Sequence, residues 1–207
     1  MSEAWIIDAA RTPRGIGKPR KGALADIHPQ VLAATVLGAI VERNGIDSAT
    51  IDDVIWGTSA QKGAQGNDLA RMSLLDAGFD VSVSGVTLDR FCGSGITSVN
   101  FAAGMVMAGL EDAVIAGGTE MMSLTATMAA QDAARSKPPV IMDAGNLRLR
   151  ARHPQSHQGV CADAIATMEN ISRETLDALA LESQTRAFSD APNGSSGTLC
   201  RDRNRVI

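Results

Sequence analysis

Ser84-Gly85-Val86-Thr87-Leu88-Asp89-Arg90-Phe91-Cys92-Gly93-Ser94-Gly95 runs a short strand straight into the start of a helix. Ser84–Leu88 reads as the strand, two glycines flank a serine in the turn, and Gly95–Leu110 continues as a long helix of small residues. The same alternation recurs on both sides. Pro29–Asn44 carries Val31, Leu32, Thr35, Val36, Ala39 and Ile40 at helical spacing, with Asn44-Gly45 as its stop. Asp53–Gly57 predicts a strand, Asn67–Gly78 a helix, and Ala113–Gly118 another strand. Ala4–Ala10 is a short apolar run cut off by Arg11-Thr12-Pro13, the pattern of a buried opening strand. Strands alternating with helices of this length predict an α/β fold, layered around a mostly parallel sheet. Such sheets carry their chemistry at strand ends and helix starts.

Further along, the regularity changes. Ser123–Gln158 holds Met, Ala, Pro and basic residues without a clear period and reads as an irregular excursion. Gly159–Ala187 resumes helical spacing, with Arg173–Arg186 as an amphipathic helix. After Ala187 the apolar periodicity stops, and Ser189–Gly197 has a loop composition. The organisation expected is an N-terminal α/β domain over residues 1–122, then a partial loop domain over 123–207 with an atypical tail at 188–207.

The 207 residues are 44% hydrophobic and 20% charged, which excludes a disordered chain. Aromatics are 3% with no Tyr, so Ala, Val, Ile, Leu and the 9 Met must build the core. A net charge of −4 without basic, aromatic-rich stretches argues against a nucleic-acid partner. Three cysteines without a CxxC spacing make neither a disulfide framework nor a metal site. The opening residues lack a basic n-region, and the apolar stretches fall short of the roughly 18 residues a membrane span needs. A cytoplasmic protein with no membrane partner is expected.

Cys92 is the leading chemical candidate. It sits beside the unpaired N–H groups of a helix N-terminus, whose partial positive charge favours thiolate over thiol. The flanking glycines let a substrate carbonyl approach the backbone. The competing reading is a small buried residue at a tight turn. A phosphate cradle at the same turn has little support, because neither GxGxxG nor GxxxxGK[ST] is present.

Asp89-Arg90-Phe91-Cys92-Gly93-Ser94-Gly95 resembles the nucleophile motif of the thiolase family of acyl-CoA acyltransferases. Four further segments resemble the family in order: Asp8–Gly15, Gln65–Arg71, Ala116–Ser123, and His157-Gln158-Gly159 with the helices after it. The resemblance spans about residues 4–187. It implies a thiolase-like layered α/β half in which Cys92 attacks the keto group of a 3-oxoacyl-CoA and carries the acyl group as a thioester to CoA. It further implies His157 as a substrate-binding residue, coenzyme A thioesters as substrates, no other cofactor, and homo-oligomers formed through this half. The family's Gly-His-Pro histidine and second catalytic cysteine belong to a C-terminal half that has no counterpart in these residues. The alternative is a truncated, non-catalytic remnant or an oligomerisation module. Gln158 stands where the family usually has Met, and Asp163 where it usually has Glu.

The tail reads either as a reading frame lost near Ala191 or as a divergent loop ending. His157 has a competing reading as a surface loop residue; His28 and His153 read as surface residues. Glu120, after two glycines at a strand end, reads as a structural carboxylate that could hold a backbone N–H. Arg148, Arg150 and Arg152 with Lys137 suggest a phosphate site, but a solvated basic face is favoured and they are not counted as site residues.

Overall fold

A computed structural model describes residues 3–136 and 142–189. Lys137 and the tail from residue 190 onward therefore lie outside the described residues. Among the described residues, one compact unit reaches to Ala130 and a second begins at Gln131.

The first unit is built on three parallel strands, β1 (Asp53–Gly57), β2 (Ser84–Leu88) and β3 (Val114–Gly118), in the order β2-β1-β3. Trp56 lies opposite Thr87 on one side and Gly117 on the other. Every residue of the central strand is buried. Its apolar run Val54-Ile55-Trp56 is therefore uninterrupted, as in a strand covered on both faces. Side chains alternate between the faces. Val54 and Trp56 join a core with Ala33 and Leu37 of α1 (Pro29–Asn44) and Leu69, Ala70 and Leu74 of α2 (Leu69–Asp76). Gly57, on the other face, meets α3 (Ser94–Ala108). The layered α/β architecture expected from the alternation is present.

The N-terminal end of the sheet holds three carboxylates in opposite states. Asp52 accepts the Asp112 and Ala113 N–H groups at 2.8 and 2.9 Å. These bonds, Ala113 first, hold its carboxyl below the usual range. Burial pushes Asp53 and Glu111 up, and for Glu111 the neighbouring Asp53 and Asp52 add to it. Glu111 Oε2 is buried without a hydrogen-bond partner among the described residues. A carboxyl whose folded pKa is raised contributes stability at low pH and loses it as pH rises through that pKa. Glu111→Gln should therefore raise the urea midpoint at pH 7, and the gain should vanish by about pH 4, near the ordinary carboxyl value. A gain of equal size at both pH values would contradict this origin.

Four expectations need correction. Ala4–Ala10 forms no strand: Trp5, Ile6 and Ile7 are exposed. Asp8 is fastened instead to the end of α1, accepting from Arg43 Nε at 3.0 Å and Asn44 Nδ2 at 2.8 Å. The stretch Ser123–Gln158 is not wholly irregular, since it holds α4 (Met122–Ala134) and α5 (Leu147–Arg152). Helix α4 is rich in Ala, Met and Thr, so it forms by propensity without an apolar stripe to reveal it. The region Gly159–Ala187 divides into α6 (Gln158–Met168) and α7 (Arg173–Ser189). The second of these is not amphipathic. Leu179 and Leu181 are both exposed, and at two residues apart they point about 200° from each other. Finally, the window Phe91–Ala108 has 18 residues of mean hydropathy 1.3, long and apolar enough by composition alone to cross a membrane. One side of it packs on β1 and β3, while Ile96, Val99, Phe101 and Met107 stay exposed.

Candidate active site at the C-terminal end of the sheet

Leu88 ends β2, and six residues later Ser94 begins α3. The turn between them is tightly bonded. Asp89 Oδ1 accepts the Phe91 N–H at 2.7 Å, and the Gly93 N–H donates to the Arg90 carbonyl at 3.0 Å. Ser94 clamps the Arg90-Phe91 pair that leads into Cys92: its Oγ accepts from the Arg90 N–H at 2.9 Å and donates to the Phe91 carbonyl at 2.6 Å. Phe91 pays for this with a φ of 48°, a left-handed conformation that a bulky residue rarely adopts. The Arg90 guanidinium lies 5.8 Å from the Phe101 ring centre, a cation–π contact joining turn to helix.

Cys92 is exposed. That removes the reading in which it is merely a buried packing residue. It stands just before Gly93, the N-cap of α3, which supplies no side-chain cap. The Gly93 and Ser94 N–H groups donate to the Arg90 and Phe91 carbonyls at 3.0 and 3.1 Å, so only N–H groups further into the first turn could serve a ligand at the thiol.

The sheet seats this turn closely. A Cβ on Gly57 would lie 2.8 Å from the Ser94 carbonyl carbon and 2.9 Å from its Cβ and oxygen. A Cβ on Gly118 would lie 2.5 Å from the Gly57 carbonyl oxygen. Ser98 Oγ reaches the Gly117 carbonyl at 2.8 Å and ties α3 to β3. Glu120, just beyond β3, accepts the Ser59 N–H and hydroxyl at 2.6 Å each and Gln65 Nε2 at 3.1 Å. It is the structural carboxylate expected, and it does hold a backbone N–H.

The sequence profile of the thiolase N-terminal domain matches residues 4–196. The chain belongs to the thiolase family. It is 37% identical over 195 residues to the steroid 3-ketoacyl-CoA thiolase FadA6 of Mycobacterium tuberculosis, covering 91% of this chain and 46% of that protein. It is 38% identical over 215 residues to the 3-oxoadipyl-CoA/3-oxo-5,6-dehydrosuberyl-CoA thiolase of Escherichia coli, covering 100% and 52%. A 3-ketoacyl-CoA thiolase of Bacillus subtilis is 35% identical over 189 residues, covering 90% and 45%. This thiolase chain thus spans about half the length of the curated relatives it matches.

The thiolase resemblance also singled out His157, which lies in the second compact unit and is exposed. It caps α6, its Nδ1 accepting the Gly159 N–H at 3.1 Å. With that nitrogen acting as acceptor, the other, Nε2, is left to face solvent or a ligand. His28 caps α1 in the same way and is exposed, as is His153.

Of the basic run, Arg150 is spent on the buried Asp143 carboxylate, at 2.6 and 2.9 Å, and holds that carboxyl below the usual range. Arg148 and Arg152 line an open concavity of about 280 Å³ with Asn146, Leu149 and His153. Among the described residues, no group of three or more His, Cys, Asp or Glu side chains is arranged to hold a metal ion.

The sequence reading missed Ser94 and Gly57 as parts of the site. Ser94 was visible in the motif, but only the folded turn shows it bonded back to Arg90 and Phe91, just ahead of Cys92. Gly57 closes a strand 35 positions away, and nothing local marks it.

Proposed function

We propose that this chain is the nucleophile-bearing half of an acyl-CoA thiolase. One observation carries the reading: in a chain of the thiolase family, Cys92 is exposed at the C-terminal end of a parallel sheet, at the mouth of an uncapped helix. Cys92 Sγ, as thiolate, attacks the 3-keto carbon of a 3-oxoacyl-CoA. The carbon–carbon bond to C2 then breaks, and acetyl-CoA leaves after C2 takes a proton. The sulfur keeps the acyl group as a thioester until a second CoA thiolate attacks the carbonyl and returns the Cys92 thiolate. The donors proposed for the oxyanion of each step are first-turn N–H groups of α3 beyond Gly93 and Ser94, whose own N–H groups are bonded within the turn. The acid–base groups for these proton transfers are assigned by the resemblance to a C-terminal half beyond these residues.

Relatives named for 3-ketoacyl-CoA and 3-oxoadipyl-CoA substrates support CoA thioesters as the substrate class. Assembly into homo-oligomers through this half is part of the reading, supported by the exposed Ile96, Phe101 and Leu110. A cytoplasmic location and the absence of a further cofactor complete it. The test is intact-mass analysis after incubation with acetyl-CoA. A single acetyl group on the peptide containing Cys92 is expected, and a chain that stays unmodified would refute the proposal.

His157 belongs to the proposal as a substrate-placing residue. Asparagine is among the best helix N-caps, so His157→Asn keeps the α6 cap while removing the imidazole. This variant should unfold at the wild-type urea concentration yet need more acetyl-CoA for half-maximal acylation. An unchanged acetyl-CoA dependence would reduce the histidine to a cap.

A further inference from the structure

We propose that Glu120 is a positioning residue for Cys92, acting through the end of β1; the inference rests on the reading of Cys92 as nucleophile. The Glu120 carboxylate meets donors only. Oε2 accepts the Ser59 N–H and Ser59 hydroxyl at 2.6 Å and the Thr58 hydroxyl at 3.4 Å, and Oε1 accepts Gln65 Nε2 at 3.1 Å. Gln65 is fully buried and already committed, since its Oε1 accepts the Met121 N–H. Its amide orientation is thereby fixed, and its Nε2 donates to the Ala60 carbonyl at 3.0 Å as well as to Glu120. A carboxylate is acceptor-only and satisfies all of these groups together.

Two paths lead from this tie to the thiol. The Thr58 N–H donates to the Leu88 carbonyl at 3.1 Å, so the Thr58-Ser59 segment grips the last residue before the Cys92 turn. Gly57, whose carbonyl accepts the Thr119 N–H at 3.0 Å, packs against the Ser94 backbone, and Ser94 bonds the backbone on both sides of the Arg90-Phe91 pair that leads into Cys92. Releasing Glu120 frees the segment that supports both ends of that turn. Its stability need not fall much, but the aim of Sγ relative to the helix-terminal N–H groups would.

The experiment compares two reactions of one sulfur. Acylation by acetyl-CoA needs the turn in register with its N–H groups, whereas iodoacetamide needs only an accessible thiolate. Cys161, exposed on α6, serves as an internal reference for alkylation in the same molecule. Glu120→Ala should slow acylation of Cys92 about tenfold or more, because small misplacements of reacting groups are costly. Alkylation of Cys92 relative to Cys161 should stay near the wild-type ratio. Glu120→Gln, which sets an amide NH₂ against that of Gln65, should fall between wild type and Glu120→Ala. A purely structural role would lower the unfolding midpoint and move both reactions together, which would overturn the proposal. If Glu120→Ala fails to fold, Ser59→Ala removes one donor and should slow acylation about fivefold. Acylation within about twofold of wild type in the folded variants would also overturn it. Wild-type chain that takes up no acetyl group would instead sink the nucleophile reading, and this inference with it.

Discussion

Cys92→Ala is expected to abolish acyl capture from acetyl-CoA while leaving the fold almost untouched. The thiol is the only atom in the turn that can form the thioester, so the loss should be complete. Its exposure places the substitution among surface changes, whose effect on unfolding free energy is typically within about 0.5 kcal/mol. The turn is held by Ser94 and Asp89, neither of which bonds to the sulfur. Intact-mass analysis and urea denaturation on the same preparation check both halves. Acetylation that persists in the variant would move the nucleophile elsewhere. A large loss of stability would mean that the sulfur packs rather than reacts.

Gly57→Ala should be strongly destabilising. The added carbon would lie within 3 Å of three Ser94 atoms, two of them backbone, so no side-chain rotation relieves it. Gly57 is held in place, because its own carbonyl is bonded to the Thr119 N–H and its strand is paired on both sides. Overpacking of this kind costs about 1–3 kcal/mol, and a backbone clash belongs at the upper end. The same substitution at Gly104, exposed within α3 with nothing within 4 Å, should stabilise by about 0.5–1 kcal/mol. Urea denaturation should therefore give shifts of opposite sign for two glycine-to-alanine changes. Shifts of the same sign would show that the seat beneath Ser94 is looser than described. Acylation of Cys92 should fall in Gly57→Ala, since the helix start must move to admit the methyl group.

The central elements were legible because their signals are local. Asp53–Gly57 is a short apolar block bounded by turns, and the sequence from Ser84 to Gly95 passes from strand to glycine turn to helix without interruption. The failures were of two physical kinds. Ala4–Ala10 has strand composition, but Asp8 is tied to Arg43 and Asn44 at the end of α1, and Trp5, Ile6 and Ile7 stay exposed rather than pairing with a sheet edge. Met122–Ala134 has no periodic apolar face, so the helix rests on the propensities of Ala and Met rather than on a pattern. At the site, Cys92 was readable from its neighbours. Its surroundings were not, because Gly57 and Glu120 are tied to their neighbours across the sheet by contacts that sequence spacing does not encode. His157 was singled out by resemblance, while its part as the cap of α6 follows from a Nδ1 geometry visible only in three dimensions.

The two tryptophans lie at opposite extremes of their surroundings, and the chain has no tyrosine to obscure them. Trp5 is 78% exposed, whereas Trp56 is 2% exposed and donates its indole N–H to Thr119, next to Glu120. Emission from the inner indole should stay blue-shifted and protected from acrylamide, while the outer one is quenched freely. The seam between the first and third strands thus carries a built-in optical probe, able to report its loosening without any label.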